Sequence, residues 1–130
     1  FHIDFGHFLG NVKYQFGIKR ERTEFVFTPE MAEVMGGTKA EGFKDFKQEC
    51  ADALHILRDN VSTLINLFLL MVPAGMPELA SAEDINYLRD QLDTRIAKQE
   101  ATDRFEKQLS LALGDVVKKI DNAMHIIKHN

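Results

Sequence analysis

The feature that most constrains this fold is the helical spacing of its apolar residues, which begins near residue 28 and continues to the end of the chain. From Glu41 to about Asp59, apolar residues recur every three or four positions and form one stripe: Phe43, Phe46, Cys50, Leu54 and Leu57. The next stretch, about Val61–Val72, is apolar on nearly every side. A stripe predicts a surface helix, whereas an all-round apolar helix is expected to be surrounded by the others.

Local signals predict where two of the helices begin. Thr28 and Pro29 are typical of an N-cap and a first helical position, and the Gly36-Gly37 pair predicts the end of that short helix. Further on, Ser81 and Asp84 approximate a capping box before the helical stretch "INYLRDQL".

The last third of the sequence predicts two more helices. One covers about Lys98–Leu113, Gly114 is expected to separate it from the next, and the last covers about Asp115–Lys128. The last helix is amphipathic and locally basic, with no tryptophan. An apolar stripe of this kind is most often part of a core, but lysines beside an apolar face also suit an anionic membrane surface.

Composition limits the classes of function. The net charge of −4 argues against wholesale binding of nucleic acid, so no nucleic-acid partner is expected. Cys50 is the one cysteine, which rules out an intrachain disulfide, fits a reducing compartment and is typical of a small buried apolar residue. The apolar run "LINLFLLMVPAGM" is shorter than the roughly 20 residues of a membrane span. No signal-peptide pattern opens the sequence, and we expect a cytoplasmic protein.

A short motif near the start carries the chemistry. Asp4, Phe5 and Gly6 form the triplet that holds magnesium in kinases, where a carboxylate is a hard ligand for a hard cation. A lone triplet is a weak signal, because Asp4 in isolation is equally typical of a turn.

The sequence around the triplet resembles the phosphatidylinositol 3-kinases, and within them the class I enzymes. The resemblance runs through "HIDFGHFLGNVKYQFGIKRERTEFVFTPEMAEVM", then "INLF", "GMPEL" and "EDINYLRD", and it thins after about Leu92. It implies a mainly α fold, the helical part of a protein-kinase-like C-terminal lobe with a short strand and an activation loop at its start, cut from an α+β kinase domain. Residues 1–27 would hold the motif and loop, and residues 28–130 the helical segment.

The resemblance also implies roles for the first residues. Asp4 would be the magnesium ligand, and Ile3, Asp4, Phe5 and Gly6 would form the nucleotide side of the site, with ATP and Mg²⁺ as cofactors. His7 would lie near the transferring phosphoryl group; alternatively, it shapes the start of the loop by hydrogen bonding.

Four basic residues in the loop would bind the lipid head group. Lys13, Lys19, Arg20 and Arg22 match the family's substrate loop, and the "KRER" box would contact the phosphates of phosphatidylinositol 4,5-bisphosphate. Many class I members carry a run of lysines where this chain has Lys13 alone, so its preference for the bisphosphate is left open. A charge run outside such a context is usually a solvated face.

The expected parent protein is larger than the chain. A phosphoryl transferase also needs a phosphate loop, a phosphate-orienting lysine and a catalytic base, and the sequence has no such segment before Asp4. We therefore expect these residues to act with the N-terminal part of the kinase, at a membrane surface, and to be inactive alone. The resemblance further implies a regulatory subunit and a small GTPase as partners.

Two other functions are compatible with the same residues. The chain could be a non-catalytic phosphoinositide-binding module in which the triplet is vestigial, or a helical interaction domain with no lipid or nucleotide role.

Overall fold

The computed structural model describes Leu9, the backbone of two short strands, and residues 23–128, with side chains described for Leu9 and residues 23–114. The strands are β1 (Tyr14–Gln15) and β2 (Ile18–Lys19), paired antiparallel. Five α-helices follow in the described part of the chain: α1 (Pro29–Val34), α2 (Glu41–Asp59), α3 (Val61–Met71), α4 (Asn86–Gln91) and α5 (Lys98–Lys128). Two 3₁₀ turns, Val72–Ala74 and Ala82–Ile85, lie between α3 and α4. The predicted fold class, mainly α, is confirmed.

The chain forms two compact units. The first comprises Phe1–Arg20 and Ala53–Lys98, and the second comprises Glu21–Asp52 and Gln99–Asn130. These units follow spatial contacts, whereas the predicted division at residues 27 and 28 separates an activation loop from a helical segment. That division stays a prediction.

Helix α1 begins and ends as its sequence predicts. Thr28 has extended backbone angles, its hydroxyl accepts a hydrogen bond from the Met31 amide, and Pro29 occupies the first turn. Gly36 and Gly37 follow the helix with φ of 91° and 89°, in the left-handed region that favours glycine.

The second unit has an aromatic and aliphatic core. Its buried members are Phe27, Ala32, Phe43, Leu109 and Ala112. The Phe27 ring stacks on that of Phe46 with centroids 5.6 Å apart. Two of the stripe residues predicted for α2 therefore meet the loop that precedes α1, which is the burial expected of an amphipathic helix.

The first unit is centred on the segment after α3. Leu79 and Ile85 are fully buried there, and Leu92 is 5% exposed. The predicted capping box is confirmed, since the Asp84 carboxylate accepts from the Ser81 amide while Ser81 caps the turn. The box starts the 3₁₀ turn, and α4 begins at its end.

Two sequence predictions about helices are wrong. Helix α3 was expected to be surrounded by the others, but none of its residues is fully buried by the described chain, and Leu70 is 78% exposed. Gly114 was expected to end a helix, but α5 runs through it without a break. A glycine inside a helix costs about 1 kcal/mol relative to alanine, which the strong helix formers before it, Leu111, Ala112 and Leu113, help to offset.

No single helix among the described residues is long and apolar enough to cross a membrane. Taken together, α2, α3 and the turn after α3 have the length and the apolar composition of a membrane span, but they form a bent pair and not one helix.

Candidate functional site

Most of the predicted site residues lie outside the described part of the chain. These are Ile3, Asp4, Phe5, Gly6, His7, Lys13, Arg20 and Arg22. Of the predicted lipid-binding residues, Lys19 has its backbone described, in β2. The proposed roles of all nine residues stay predictions.

The two short strands form a β-hairpin within the predicted activation loop. Tyr14 pairs with Lys19 and Gln15 pairs with Ile18, so the "KRER" box starts in the second strand of a closed hairpin. Sequence reasoning missed this hairpin, because two-residue strands are too short to show an alternating pattern.

Leu9, five residues after Asp4, is the one non-glycine residue of the described chain with a positive φ, at 52°. A leucine is rarely found in the left-handed region, where its Cβ crowds the following carbonyl oxygen. Leu9 is thus held in an unfavourable backbone conformation, a feature that often occurs at functional sites, and it follows the predicted magnesium motif in the sequence.

The end of the loop is anchored in the core of the second unit. The Phe25 ring stacks on that of Phe105 with centroids 6.0 Å apart, and Phe27 is 6% exposed. The Thr23 hydroxyl donates a 2.8 Å hydrogen bond to the Phe25 carbonyl oxygen. This anchor begins directly after Arg22, so the chain that follows the basic box is attached to a folded helical scaffold.

A negative charge lies just beyond the anchor. A hydrogen bond from its own backbone amide, and then one from the Thr28 hydroxyl, hold the pKa of the Glu30 carboxyl below its ordinary value. The carboxylate lies in the first turn of α1, where it complements the positive end of the helix.

The described residues contain no cluster of three His, Cys, Asp or Glu side chains that could hold a metal ion. The predicted ligand Asp4 is not among them. A magnesium site at Asp4 therefore depends on the chemistry of the carboxylate and on the sequence around it.

The second unit contains an open cavity of about 560 Å³. Its lining includes Phe43, Leu109 and Leu113, and Lys47 at its edge pairs with Glu106 at 2.9 Å.

Comparison with known proteins identifies the family. The family model "Phosphatidylinositol 3- and 4-kinase" matches residues 1–81, which include the triplet, the hairpin and the basic box. "Phosphatidylinositol 3-kinase 2" of Dictyostelium discoideum is 47% identical over 125 residues, 96% of this chain and 7% of the relative. "Phosphatidylinositol 3-kinase 1" of the same organism is 43% identical over 129 residues, 99% of this chain and 8% of the relative.

A human protein, "Phosphatidylinositol 3-kinase C2 domain-containing subunit gamma", is 38% identical over 129 residues, covering 98% of this chain and 9% of the relative. The chain thus spans less than a tenth of each of these three relatives. The three relatives match nearly the whole of the chain. The family model matches its first part, which contains the triplet followed by the loop. The chain is a kinase-domain fragment that belongs to the phosphatidylinositol 3- and 4-kinase family.

Proposed function

We propose that this chain is the segment of a lipid kinase that binds magnesium and recognises the lipid head group. The full-length parent would transfer the γ-phosphoryl group of ATP to the 3-hydroxyl of phosphatidylinositol 4,5-bisphosphate or a related phosphoinositide. The single observation that carries the proposal is the family match over residues 1–81, because it includes both the Asp4 triplet and the "KRER" box. The first two relatives bear the name phosphatidylinositol 3-kinase.

The residue types suit this chemistry. Bound magnesium and ATP would supply charge neutralisation and the phosphoryl group, and the Asp4 carboxylate is the ligand type that magnesium prefers. His7 would hold or orient a proton near the lipid hydroxyl.

The basic residues would bind the ring phosphates. Arginine offers a fork of donors that matches phosphate oxygens, and lysine a mobile point charge, so Lys13, Lys19, Arg20 and Arg22 suit a multiply anionic head group. The anchor at Phe25 and Phe27 supports this role, since the chain that follows the box in sequence is fixed in the core of the second unit.

The remaining expectations concern the parent protein. A class I enzyme at a cytoplasmic membrane surface, with the rest of the kinase, a regulatory subunit and a small GTPase as partners, follows from the resemblance. These are proposals for the full-length protein.

The deciding experiment assays the full-length parent on vesicles containing phosphatidylinositol or its 4,5-bisphosphate. The variant Lys19→Ala/Arg20→Ala/Arg22→Ala is expected to lose the bisphosphate reaction and keep the reaction on phosphatidylinositol. The matched control, Lys39→Ala/Lys44→Ala/Lys107→Ala, removes the same charge from three exposed positions and is expected to keep both.

Other results would reject the proposal in identifiable ways. If the wild type phosphorylates neither lipid but binds the vesicles through the "KRER" box, the non-catalytic binding module replaces the kinase. If the triple variant also leaves vesicle binding unaltered and no lipid is phosphorylated, the helical interaction domain is the better description.

A further inference from the structure

Thr23 stands between the "KRER" box and the anchor at Phe25 and Phe27. It follows Arg22 directly, and its hydroxyl donates a 2.8 Å hydrogen bond to the carbonyl oxygen of Phe25. Thr23 is half-buried, so part of the residue remains open to solvent. The backbone from Thr23 to Thr28 contains bends and irregular segments and no helix or strand. An enzyme that binds its acceptor segment in an extended form would therefore not have to unwind a helix to reach this hydroxyl.

The residues before Thr23 are of the type that one class of protein kinase recognises. Arginine occurs three residues and one residue before it, at Arg20 and Arg22. Among the serines and threonines of the sequence, no other has arginine at both positions. A protein kinase with carboxylates in its substrate groove pairs with such arginines, and these ion pairs set which hydroxyl reaches the active site. Thr23 is the hydroxyl of this chain that fits such an enzyme best.

A phosphate on Thr23 would nearly cancel the charge of the box. Lys19, Arg20 and Arg22 carry three positive charges and Glu21 carries one negative charge, so the box has a net charge of +2. A phosphothreonine carries roughly −1.5 to −2 at pH 7. Its oxygens are also acceptors that arginine and lysine bind. The phosphate would thus compete with the ring phosphates of a lipid for the same cations.

The same phosphate is expected to change the anchor little. An esterified oxygen has no hydrogen to donate, so the Phe25 carbonyl would lose its bond from Thr23. The stacking of the Phe25 ring on Phe105 and the burial of Phe27 do not involve the hydroxyl. The added charge, and not the lost hydrogen bond, is therefore expected to cause the effect on lipid.

We propose that Thr23 is a phosphorylation site for a protein kinase that recognises arginine before its acceptor, and that phosphate on Thr23 weakens the binding of the bisphosphate head group by the "KRER" box. In this reaction Thr23 Oγ1 forms a bond to the γ-phosphorus of ATP, and the bond from that phosphorus to the leaving ADP breaks. The hydroxyl proton passes to a carboxylate of the protein kinase. The effect on lipid rests on the proposed function of the box, whereas the site itself does not.

The site is tested on the full-length parent, incubated with ATP and a purified protein kinase selective for arginine three residues before its acceptor. Thr38 is the internal control, because it is exposed but has no basic residue at the three positions before it. Mass spectrometry of proteolytic peptides is expected to show phosphate on Thr23 at least tenfold faster than on Thr38. Equal rates, or no phosphate on Thr23, would overturn the proposal.

The effect on lipid is tested on vesicles containing phosphatidylinositol or its 4,5-bisphosphate. The parent phosphorylated at Thr23 is compared with the unmodified parent and with Thr23→Val, which removes the hydrogen bond without adding charge. We expect phosphate to lower kcat/KM for the bisphosphate at least tenfold and to change that for phosphatidylinositol less than threefold. Thr23→Val is expected to keep both reactions. The loss should shrink as the salt concentration is raised, because salt screens interactions between exposed charges.

The contrary results separate this proposal from the proposed function. An equal loss on both lipids, or an equal loss in Thr23→Val, would overturn the proposal, since the cause would be structural and not competition for the head group. If Lys19→Ala/Arg20→Ala/Arg22→Ala loses the bisphosphate reaction but phosphate on Thr23 changes nothing, the proposed function stands and this proposal is overturned. If that alanine variant keeps the bisphosphate reaction, the proposed function fails, and the proposed effect of phosphate on lipid binding fails with it.

Discussion

The Arg58 guanidinium donates a 2.7 Å hydrogen bond to the carbonyl oxygen of Ile96, and the same nitrogen, Nη2, donates a 2.8 Å bond to that of Asp93. Arg58 is the second-to-last residue of α2 and is 5% exposed, and the two carbonyls belong to the connection between α4 and α5. Its neighbour Asp59 pairs with Lys98, the first residue of α5. The end of α2 thus holds this connection at several points.

Replacing Arg58 by methionine is expected to destabilise the fold by about 1–2 kcal/mol, because two carbonyl groups lose a charged donor. The expected loss is small for a buried arginine, because Arg58 Nε and Nη1 find no acceptor among the described residues. The wild type therefore already carries the free-energy cost of burying an incompletely paired charge, and the methionine variant does not. The free energy of unfolding in urea provides the measurement. The control Arg89→Met removes an exposed arginine that donates to Asn86, and an equal loss in both variants would contradict the prediction.

Alanine is expected to have opposite effects at two helical glycines. A Cβ on Gly42 would lie 2.8 Å from the Met35 carbonyl oxygen, whereas one on Gly114 would meet no atom of the described residues within 4 Å. Gly42→Ala should therefore lower the unfolding temperature, and Gly114→Ala should raise stability by about 0.5–1 kcal/mol, the helix preference for alanine. Calorimetry of the two variants measures this. A rise in stability in both would show that helix propensity alone decides, and a fall in both would contradict the prediction for Gly114.

The capping carboxylate of Asp84 is expected to matter more than its acidic neighbour. Asp84 Oδ2 accepts from the amides of Ala80 and Ser81 at 2.9 Å and from the Ser81 hydroxyl at 3.2 Å. Asp84→Ala should cost about 1–2 kcal/mol, as measured by urea unfolding, because these donors lose their acceptor. The exposed Glu83→Ala serves as the control and should stay within about 0.5 kcal/mol of the wild type.

Cys50 is expected to react slowly with alkylating reagents. The thiol is half-buried, and burial, with a smaller contribution from Glu49, raises its pKa above the ordinary value. Less thiolate is present at a given pH, so the alkylation rate should rise at higher pH than for an exposed thiol. Iodoacetamide labelling from pH 7 to 10 tests this against Cys50→Ser/Ser110→Cys, which places a thiol at an exposed site. Coincident pH profiles for the two thiols would reject the effect of burial.

Sequence signals located the helices where the cause is local. Thr28 and Pro29 predict the start of α1, and the apolar stripe predicts α2 over Glu41–Asp59, the bounds that the structure has. N-caps, proline and helical spacing act over one or two turns, so they can be recognised without knowing the tertiary contacts.

The prediction failed in two places, at Gly114 and for the burial of α3. The break expected at Gly114 assumed that glycine ends helices, but an interior glycine is tolerated when its neighbours continue the helix. The burial of α3 was inferred from its composition. Composition shows that burial of a helix is favourable, but it does not show which residues bury it.

The candidate site was predicted from a resemblance to a family. The structure describes residues that follow the basic box in the sequence. The family match supports the reading of the Asp4 triplet and of the "KRER" box as parts of a kinase domain. The anchor at Phe25 and Phe27 was missed, because two aromatic residues in a loop show no periodicity that would assign them to a core.

The sequence by itself determined the helical class of this protein, the ends of its early helices and its family, since these follow from local propensity and from residues in a recognisable order. Only the tertiary structure decided that Arg58 is buried against loop carbonyls, that Phe27 joins the core and that no residue of α3 is fully buried by the described part of the chain. Burial depends on what lies across the fold from a residue, and positions far apart in sequence supply it.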